Sequence, residues 1–222
     1  SGLTEIGPWA LKGANKLASI TCKATTPPSI GNDAFGGVNS SIPVYVPAAS
    51  VEAYKAAEGW SKFTNIQPII IGSGTCGDNL TWKLSDDGEL IIEGTGTMYN
   101  YSNNPAAPWH SYRSLIKSVN IKDGVTSIGS WAFYECRSLT SIKIPDGVTS
   151  IGEEAFRGCS SLEPKLLVYD KGTKCYGWVG DKKKCTEVVI PKGVTSIGKW
   201  AFSGCSSVNS IKIPEGVTSI GE

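Results

Sequence analysis

A six-residue motif that recurs at a fixed interval constrains this chain more than any other feature of its sequence. GVTSIG occupies residues 124–129, 147–152, 193–198 and 216–221, so successive copies start 23, 46 and 23 residues apart. The interval of 46 is two periods of 23 and contains one degenerate unit. A unit this short cannot bury its apolar side chains alone and must stack on its neighbours. The period therefore predicts a solenoid of stacked coils.

Apolar residues occupy fixed positions within the period. Val119 and Ile121 are separated by one residue, as in a strand with one buried face. Ile128, Phe133 and Leu139 mark three further positions. We expect each position to form a buried column across parallel strands, which stack about 4.8 Å apart. The columns continue with Ile142/Ile144, Val188/Ile190 and Ile211/Ile213; with Ile151, Ile197 and Ile220; with Phe156 and Phe202; and with Leu162 and Val208.

Turn-forming residues separate the apolar positions. Glycine follows Pro145-Asp146, Pro191-Lys192 and Pro214-Glu215, which is the composition of tight turns. We predict a short helical turn on the outer side of the coil from Ala132 to Cys136. The sequence thus predicts a mainly β repeat solenoid with stacked parallel strands and short helical turns.

The repeat also resembles a known family. The pattern S-I-G-x-x-A-F-x-x-C-x-S-L-x-x-I-x-I-P, which begins at Ser127, is similar to the BspA-like leucine-rich repeats of bacterial surface proteins. The resemblance implies a leucine-rich-repeat fold, an extracellular or cell-surface location, and adhesion to host proteins or to other cells. No catalytic residues are defined for the family, so the resemblance assigns none to this chain.

Three parts of the chain differ in their repeats. We predict that residues 1–71 are the end of a repeat block with a helical closing cap. Residues 72–118 resemble the small β-rich segment that precedes such repeats, and residues 119–222 form a repeat solenoid that stops in mid-repeat. The chain is interpreted as a window cut from a longer protein. One continuous solenoid with 72–118 as an insertion is the alternative.

The closing segment is predicted to contain a helix. Residues 44–66 resemble the segment that closes an array of these repeats, and a helix is expected from Ala48 to Glu58, before Gly59. Val51, Tyr54 and Ala57 would then share one face.

Composition removes several function classes. The net charge is +1, which gives no long-range attraction to nucleic acid or to anionic membranes. No apolar run approaches the roughly 20 residues that span a bilayer. The single histidine, His110, leaves little material for acid–base or metal chemistry, and neither a phosphate-binding loop nor a D-x-D-x-D calcium motif is present. We therefore expect no enzyme activity, no cofactor and no metal site.

Four of the seven cysteines are predicted to be core residues. Cys136, Cys159 and Cys205 share one repeat position and are expected to stack as small buried residues at a tight turn. They lack the C-x-x-C spacing of a zinc site. Cys22 falls at a strand position and is expected to fill the core.

Cys175 and Cys185 lie in the degenerate unit. With a slip of one residue they replace the Ile151-column and Leu162-column residues, so both would point inwards. A disulfide between them and two free buried thiols are both compatible with the sequence.

One candidate binding surface is the exposed face of the strands. Its residues alternate with the buried isoleucines and are small, polar or charged, as suits a protein or glycan partner. They are Ser118, Asn120, Ser141, Lys143, Glu187, Val189, Ser210 and Lys212.

A second candidate surface is the position before each Ala-Phe pair. It holds Trp131, Glu154, Trp178 by the slipped alignment, and Trp200; Trp9 takes the same position in the first block. Recurrent exposed tryptophans could stack on sugars or anchor a protein. Alternatively, each indole lies flat over the outer turn and packs on the neighbouring coil.

The function predicted from these features is non-catalytic recognition or adhesion, with a host extracellular protein or a bacterial surface protein as the partner. A carbohydrate-binding surface module and a structural spacer without a ligand are the alternatives. Nucleic-acid binding and membrane insertion of this segment are not expected.

Overall fold

The computed structural model describes residues 2–103 and 106–221. The chain divides into two compact units, which are described separately. Unit 1 comprises Ser1–Ile71 and Ser85–Asp87, and unit 2 comprises Gly72–Leu84 and Gly88–Glu222. In each unit, parallel strand pairs join successive coils. The predicted β repeat solenoid is therefore confirmed.

Unit 1 contains short parallel strands. β1 (Glu5–Ile6) pairs with β3 (Ser29–Ile30). β2 (Ile20–Thr21) pairs with β4 (Val44–Val46), which in turn pairs with β5 (Ile66–Pro68). Strands that are close neighbours in sequence thus belong to different sheets, as they do when each coil contributes one strand to each side of a solenoid.

A helix follows β4, as the sequence predicts. Ala48–Ser50 form a 3-10 turn, and Val51–Ala56 form the α-helix α1. Tyr54 is fully buried, and Val51 and Ala57 pack partly against the same core. The three residues predicted to share a face thus contact one core, although Ala57 lies just beyond the α-helix, which ends two residues before the predicted Glu58.

The remaining strands lie wholly or mainly in unit 2. In chain order they are β6 (Ile70–Gly77), β7 (Leu80–Ser85), β8 (Glu89–Gly94), β9 (Gly96–Thr97), β10 (Ser118–Ile121), β11 (Val125–Ile128), β12 (Ser141–Lys143), β13 (Ser150–Ile151), β14 (Lys165–Tyr169), β15 (Lys174–Val179), β16 (Glu187–Val189), β17 (Ser196–Ile197), β18 (Ser210–Lys212) and β19 (Ser219–Ile220).

Two parallel ladders begin in the β-rich segment and continue into the repeats. β7 and β8 are antiparallel, but β8, β10 and β12 run parallel, with Ser118 opposite both Glu89 and Ser141. β9, β11 and β13 form the second ladder. The segment that precedes the repeats therefore supplies the first strand on which both sides of the solenoid stack.

Most of the apolar column residues are buried in the inner coils, although Ile142, Ile144 and Ile151 beside the degenerate unit are only half-buried. Phe133 is fully buried, and its ring stacks on Trp109 at 5.7 Å and on Phe156 at 5.4 Å between centroids. Burial was wrongly predicted for three residues of the last coil, which lies at the edge of its sheets and has a neighbour on one side only. They are Ile211, Ile213 and Ile220, with exposed fractions of 44%, 46% and 61%.

The predicted helical turn from Ala132 to Cys136 takes the form of consecutive tight turns. The amide of Tyr134 donates to the carbonyl of Trp131 at 3.3 Å, and that of Cys136 to Phe133 at 3.1 Å. Trp131 and Glu135 have left-handed backbones, with φ of 59° and 57°. Each left-handed residue reverses the local winding, so the turns do not join into a helix.

The degenerate unit folds as a hairpin. β14 and β15 are antiparallel, and β15 alone pairs with the next coil, with Cys175 opposite Ile197. β12 and β16 belong to different sheets, so the first ladder is interrupted between them.

This hairpin also shortens the outer turn. In a regular coil, Phe133 lies five residues after Ile128, and its amide donates to the carbonyl of Ala155 at 2.8 Å. In the degenerate coil the corresponding donor is Trp178, which lies three residues after Cys175 and donates to Ala201 at 2.8 Å. The outer turn is therefore two residues shorter.

Two residues of β15 make the short turn compatible with stacking. Gly177 has φ of 127°, and a Cβ there would lie 2.2 Å from the carbonyl oxygen of Ala201, so only glycine fits. The hydroxyl of Tyr176 accepts a hydrogen bond from the amide of Phe156 at 3.2 Å. A backbone carbonyl would fill that role in a regular coil. Burial raises the pKa of Tyr176 to about 12, which keeps the hydroxyl neutral.

All seven cysteines are free. Cys22, Cys136 and Cys159 are buried, as predicted, whereas Cys205 is only half-buried. Cys175 and Cys185 are buried free thiols, and the pairing of Cys175 with Ile197 confirms its predicted column.

We predict that Tyr176→Phe destabilises the solenoid by about 1–3 kcal/mol, because the amide of Phe156 loses its hydrogen-bond partner. Urea denaturation followed by circular dichroism measures the loss. Tyr134→Phe is the matched control, because no residue in the described part of the chain bonds to the Tyr134 hydroxyl. Its effect should be about 0.5 kcal/mol or less. Equal effects of the two substitutions would contradict the role of Tyr176.

We predict that Cys205 reacts first with a thiol reagent at neutral pH. Burial raises the pKa of Cys136 and Cys185 to about 12 and that of Cys175 to about 11, so little reactive thiolate forms at these positions. Mass spectrometry after brief alkylation should find one modified site, which Cys205→Ser removes. Alkylation of Cys175 or Cys136 at the same rate in the native protein would refute the packing described.

Candidate recognition surfaces

The exposed strand face is divided into two patches. One lies on β8, β10 and β12 and includes Ser141 and Lys143; the other lies on β16 and β18. The second patch contains Glu187, Val189, Ser210 and Lys212, all of them exposed. The predicted face is thus solvent-facing, but the hairpin interrupts its continuity.

Each patch has its own polar contacts. The Lys212 ammonium lies 2.9 Å from the Glu187 carboxylate. In the other patch, the amide of Asn120 donates to Glu89 at 3.0 Å, and both Ser118 and Asn120 are half-buried. These are local contacts of an ordinary polar surface.

The position before each Ala-Phe pair has a left-handed backbone, and we call these residues the outer position. In unit 2, Trp131, Glu154 and Trp200 have φ of 59°, 57° and 59°. In unit 1, Trp9 and Asp33 have φ of 58° and 54°. A left-handed backbone costs a residue with a Cβ roughly 1–2 kcal/mol. This shared conformation was not foreseen from the sequence.

A second left-handed position lies four residues later in each coil and is filled differently. It holds Gly13, Gly37, Gly158 and Gly204, with Glu135 as the exception. Glycine adopts this backbone without penalty. Both positions have a left-handed backbone. Glycine fills the second position in four of the five coils, whereas tryptophan fills the outer position in three of the five.

The tryptophans at the outer position differ in exposure. Trp200 is 60% exposed and Trp9 is 58% exposed. Trp131 is half-buried and its ring lies 4.5 Å from that of Tyr134. Trp131 thus packs against its own outer turn, whereas Trp9 and Trp200 are mostly exposed to solvent.

The assignment of Trp178 to this position was wrong. Trp178 lies on β15 of the hairpin, has no left-handed backbone and is half-buried against the core that contains Cys185 and Val188. Its indole nitrogen donates to the carbonyl of Asp181 at 3.3 Å. The two-residue shortening of the turn removes the outer position from this coil.

The missing outer position leaves a notch, which we define as the space between the outer turns of Glu154 and Trp200. Its volume is about 500 Å³. Tyr176, Trp178, Arg157 and Lys182 are among the residues that line it. Arg157 is exposed, and the other three are half-buried. The sequence signal for this notch was the loss of the repeat motif between residues 152 and 193.

The side chains that could bind a metal ion or transfer a proton do not form a cluster of three in the described part of the chain. His110 lies half-buried in a 3-10 turn, His110–Tyr112, at the start of the repeats. Within residues 2–103 and 106–221, no three His, Cys, Asp or Glu side chains are placed to hold a metal ion. In the same part of the chain, no helix has both the length and the apolar character needed to cross a membrane.

Two solved structures that match part of this chain are leucine-rich-repeat proteins. One is a leucine-rich repeat protein from Eubacterium ventriosum, with 21% identity over 68% of this chain and a TM-score of 0.37. Another is a leucine-rich cell surface protein from Faecalibacterium prausnitzii, with 24% identity over 69% of this chain and a TM-score of 0.37. The matches span 62% and 45% of those two proteins. No curated protein matches this chain.

A family model locates the repeats in the sequence. The BspA-type leucine-rich repeat region matches in six copies, over residues 110–167 and 179–222. The interval 168–178 falls within the hairpin that replaces a regular coil. With the parallel ladders and the buried columns, this match shows that the chain carries a repeat region of the BspA-type leucine-rich-repeat family.

Proposed function

We propose that the protein is a non-catalytic recognition module, secreted or held at the cell surface, that binds a host or bacterial protein through the outer side of its coils. The repeat family supports a protein-binding role. The resemblance to BspA-like surface proteins supports the location and the adhesive role.

The exposed tryptophans at the outer position carry the proposal. Trp9 and Trp200 each occupy a left-handed backbone that disfavours bulky residues. More than half of each residue is exposed in the described part of the chain. Tryptophan is also enriched among the residues that dominate binding energy at protein interfaces. A strained backbone that presents a large exposed aromatic is explained by contact with a partner.

Other left-handed positions of the coils show which residues can occupy this backbone conformation. Asp33 has the same backbone in unit 1, and aspartate tolerates it better than tryptophan does. Gly13 and Gly204 meet the demand at the second left-handed position. The fold itself therefore does not require tryptophan at the outer position.

A glycan-binding role is a second candidate, and the notch between Glu154 and Trp200 favours it. A lining of aromatic side chains with a few polar groups is typical of a small-ligand site. A spacer without a ligand predicts neither an exposed aromatic in a strained turn nor such a notch.

We predict that Trp9→Asn and Trp200→Asn weaken binding to the protein partner by at least about tenfold while preserving the fold. Asparagine tolerates the left-handed backbone, so the substitutions remove the indole without adding strain. Binding to a panel of immobilised extracellular-matrix and bacterial surface proteins is measured by biolayer interferometry, with circular dichroism as the test of folding.

Val189→Ser serves as the matched control, since it removes an exposed apolar side chain from the strand face. If only Val189→Ser weakens binding, the strand face is the binding surface and the proposal for the tryptophans fails. If the folded parent binds no protein on the panel, the spacer alternative is favoured.

A further inference from the structure

The notch has the dimensions of a small-molecule site. Its volume of about 500 Å³ falls within the ~300–1,000 Å³ that is typical of ligand pockets. The notch exists because one coil lacks two residues of its outer turn, so the turns of the adjacent coils face each other across it. The short turn is fixed by Gly177 and Tyr176, whose contacts with Ala201 and Phe156 maintain the stacking.

The aromatic side chains that line the notch differ in their exposure to solvent. The indole of Trp200 stands at the rim and is the most exposed ring of the notch. Tyr176 and Trp178 are half-buried below it. A flat, partly hydrated aromatic surface accepts the C–H face of a sugar ring, which is apolar, while the ring hydroxyls remain free to bond at the sides.

Positive charge exceeds negative charge along the sides. The notch is lined by Arg157, Lys182 and Lys199 but by one acid, Glu154. Arg157 lies 3.0 Å from Glu154, and Lys199 lies 2.8 Å from Glu153 outside the lining.

Lys182 is the cation left without an acidic partner. Its ammonium donates to the carbonyl of Ser203 at 2.8 Å, and no carboxylate in the described ranges pairs with it. Lys182 is half-buried, whereas Lys183 and Lys184 beside it are exposed. An ammonium in this position favours an anionic group on the ligand, because charge-assisted hydrogen bonds are the strongest that such a site can form.

Glu154, the acidic residue of the lining, restricts the kinds of anionic ligand that the notch can bind. Glu154 repels a dianionic phosphate more strongly than a carboxylate with a single charge, and it accepts hydrogen bonds from hydroxyl groups. A ligand with one carboxylate, several hydroxyls and an apolar ring face satisfies Lys182, Glu154 and Trp200 together. We infer that the notch binds a carboxylated sugar of the hexuronate type, as a residue of an acidic glycan.

The inference goes beyond the proposed protein-binding role, because it assigns a glycan ligand to the notch. It shares Trp200 with that proposal but depends on Lys182, which belongs to neither surface tested above. Loss of protein binding and loss of sugar binding can therefore be observed separately.

The experiment compares four small probes in tryptophan fluorescence and NMR titrations of the whole chain. They are glucuronate, glucose as the neutral match, glucose 6-phosphate as the phosphate match, and N-acetylglutamate as the acid without a sugar ring. We expect glucuronate to bind in the millimolar range and each of the other three to bind at least about tenfold more weakly.

Two variants locate the site. Lys182→Met, which removes the charge and keeps most of the side chain, should weaken glucuronate binding by about tenfold or more. Trp200→Asn should abolish the fluorescence response. Lys192→Met changes an exposed lysine in a turn outside the notch and should have no effect.

Four results would overturn the inference. They are equal binding of glucose, equal or tighter binding of glucose 6-phosphate or of N-acetylglutamate, an unchanged affinity in folded Lys182→Met, and no glucuronate binding by the folded parent. Binding of N-acetylglutamate alone would assign the notch to acidic side chains of a protein partner.

Discussion

Backbone hydrogen bonds between the outer turns of successive coils are the constraint on which the rest of unit 2 depends. The amides of Trp131, Phe133 and Glu135 donate to carbonyls of the next coil at 2.8–3.0 Å. Two of these three donors, Trp131 and Glu135, have left-handed backbones. This turn conformation places the Phe133 ring between its stacked neighbours and directs the preceding side chain outwards. Packing of the core and exposure of the outer position therefore have one geometric cause.

The hairpin shows what happens when this constraint cannot be met. The outer turn of this coil is two residues shorter, and the amide of Trp178 donates the one backbone hydrogen bond described from it to the next outer turn, to the carbonyl of Ala201. The Tyr176 hydroxyl accepts a hydrogen bond from the amide of Phe156 in the preceding coil. The hairpin keeps its register with the next coil, where Cys175 lies opposite Ile197. The first ladder is interrupted, and the buried residues of the hairpin are divided between two core clusters. The outer wall of this coil is lost, and the resulting notch gathers aromatic and cationic side chains from three coils. The irregular coil therefore creates a concave surface lined by aromatic and charged side chains.

The sequence predicted the features that depend on periodicity. The 23-residue interval located the buried columns, and the placement of Cys175 in the Ile151 column was correct because β15 keeps its register with β17. The prediction for Trp178 was wrong because the sequence alignment assumed the residue spacing of a regular coil. The extended strand β15 spans in three residues the distance that the outer turn of a regular coil spans in five. The left-handed backbone was missed because tryptophan is not a residue that signals it. The exposure of Trp200 against the half-burial of Trp131 depends on whether a partner such as Tyr134 lies beside the indole.

Amide hydrogen exchange, resolved by NMR on the native chain, tests the central claim that the shortened coil keeps its register. The account predicts that the amides of Trp178 and Gly198 are protected to the same degree as those of Trp131 and Phe133, because each donates to a neighbouring coil at 3.0 Å or less. Rapid exchange at Trp178 and Gly198, with Phe133 still protected, would show that the hairpin is detached from the next coil. The notch and the arrangement of its side chains would then not exist as described.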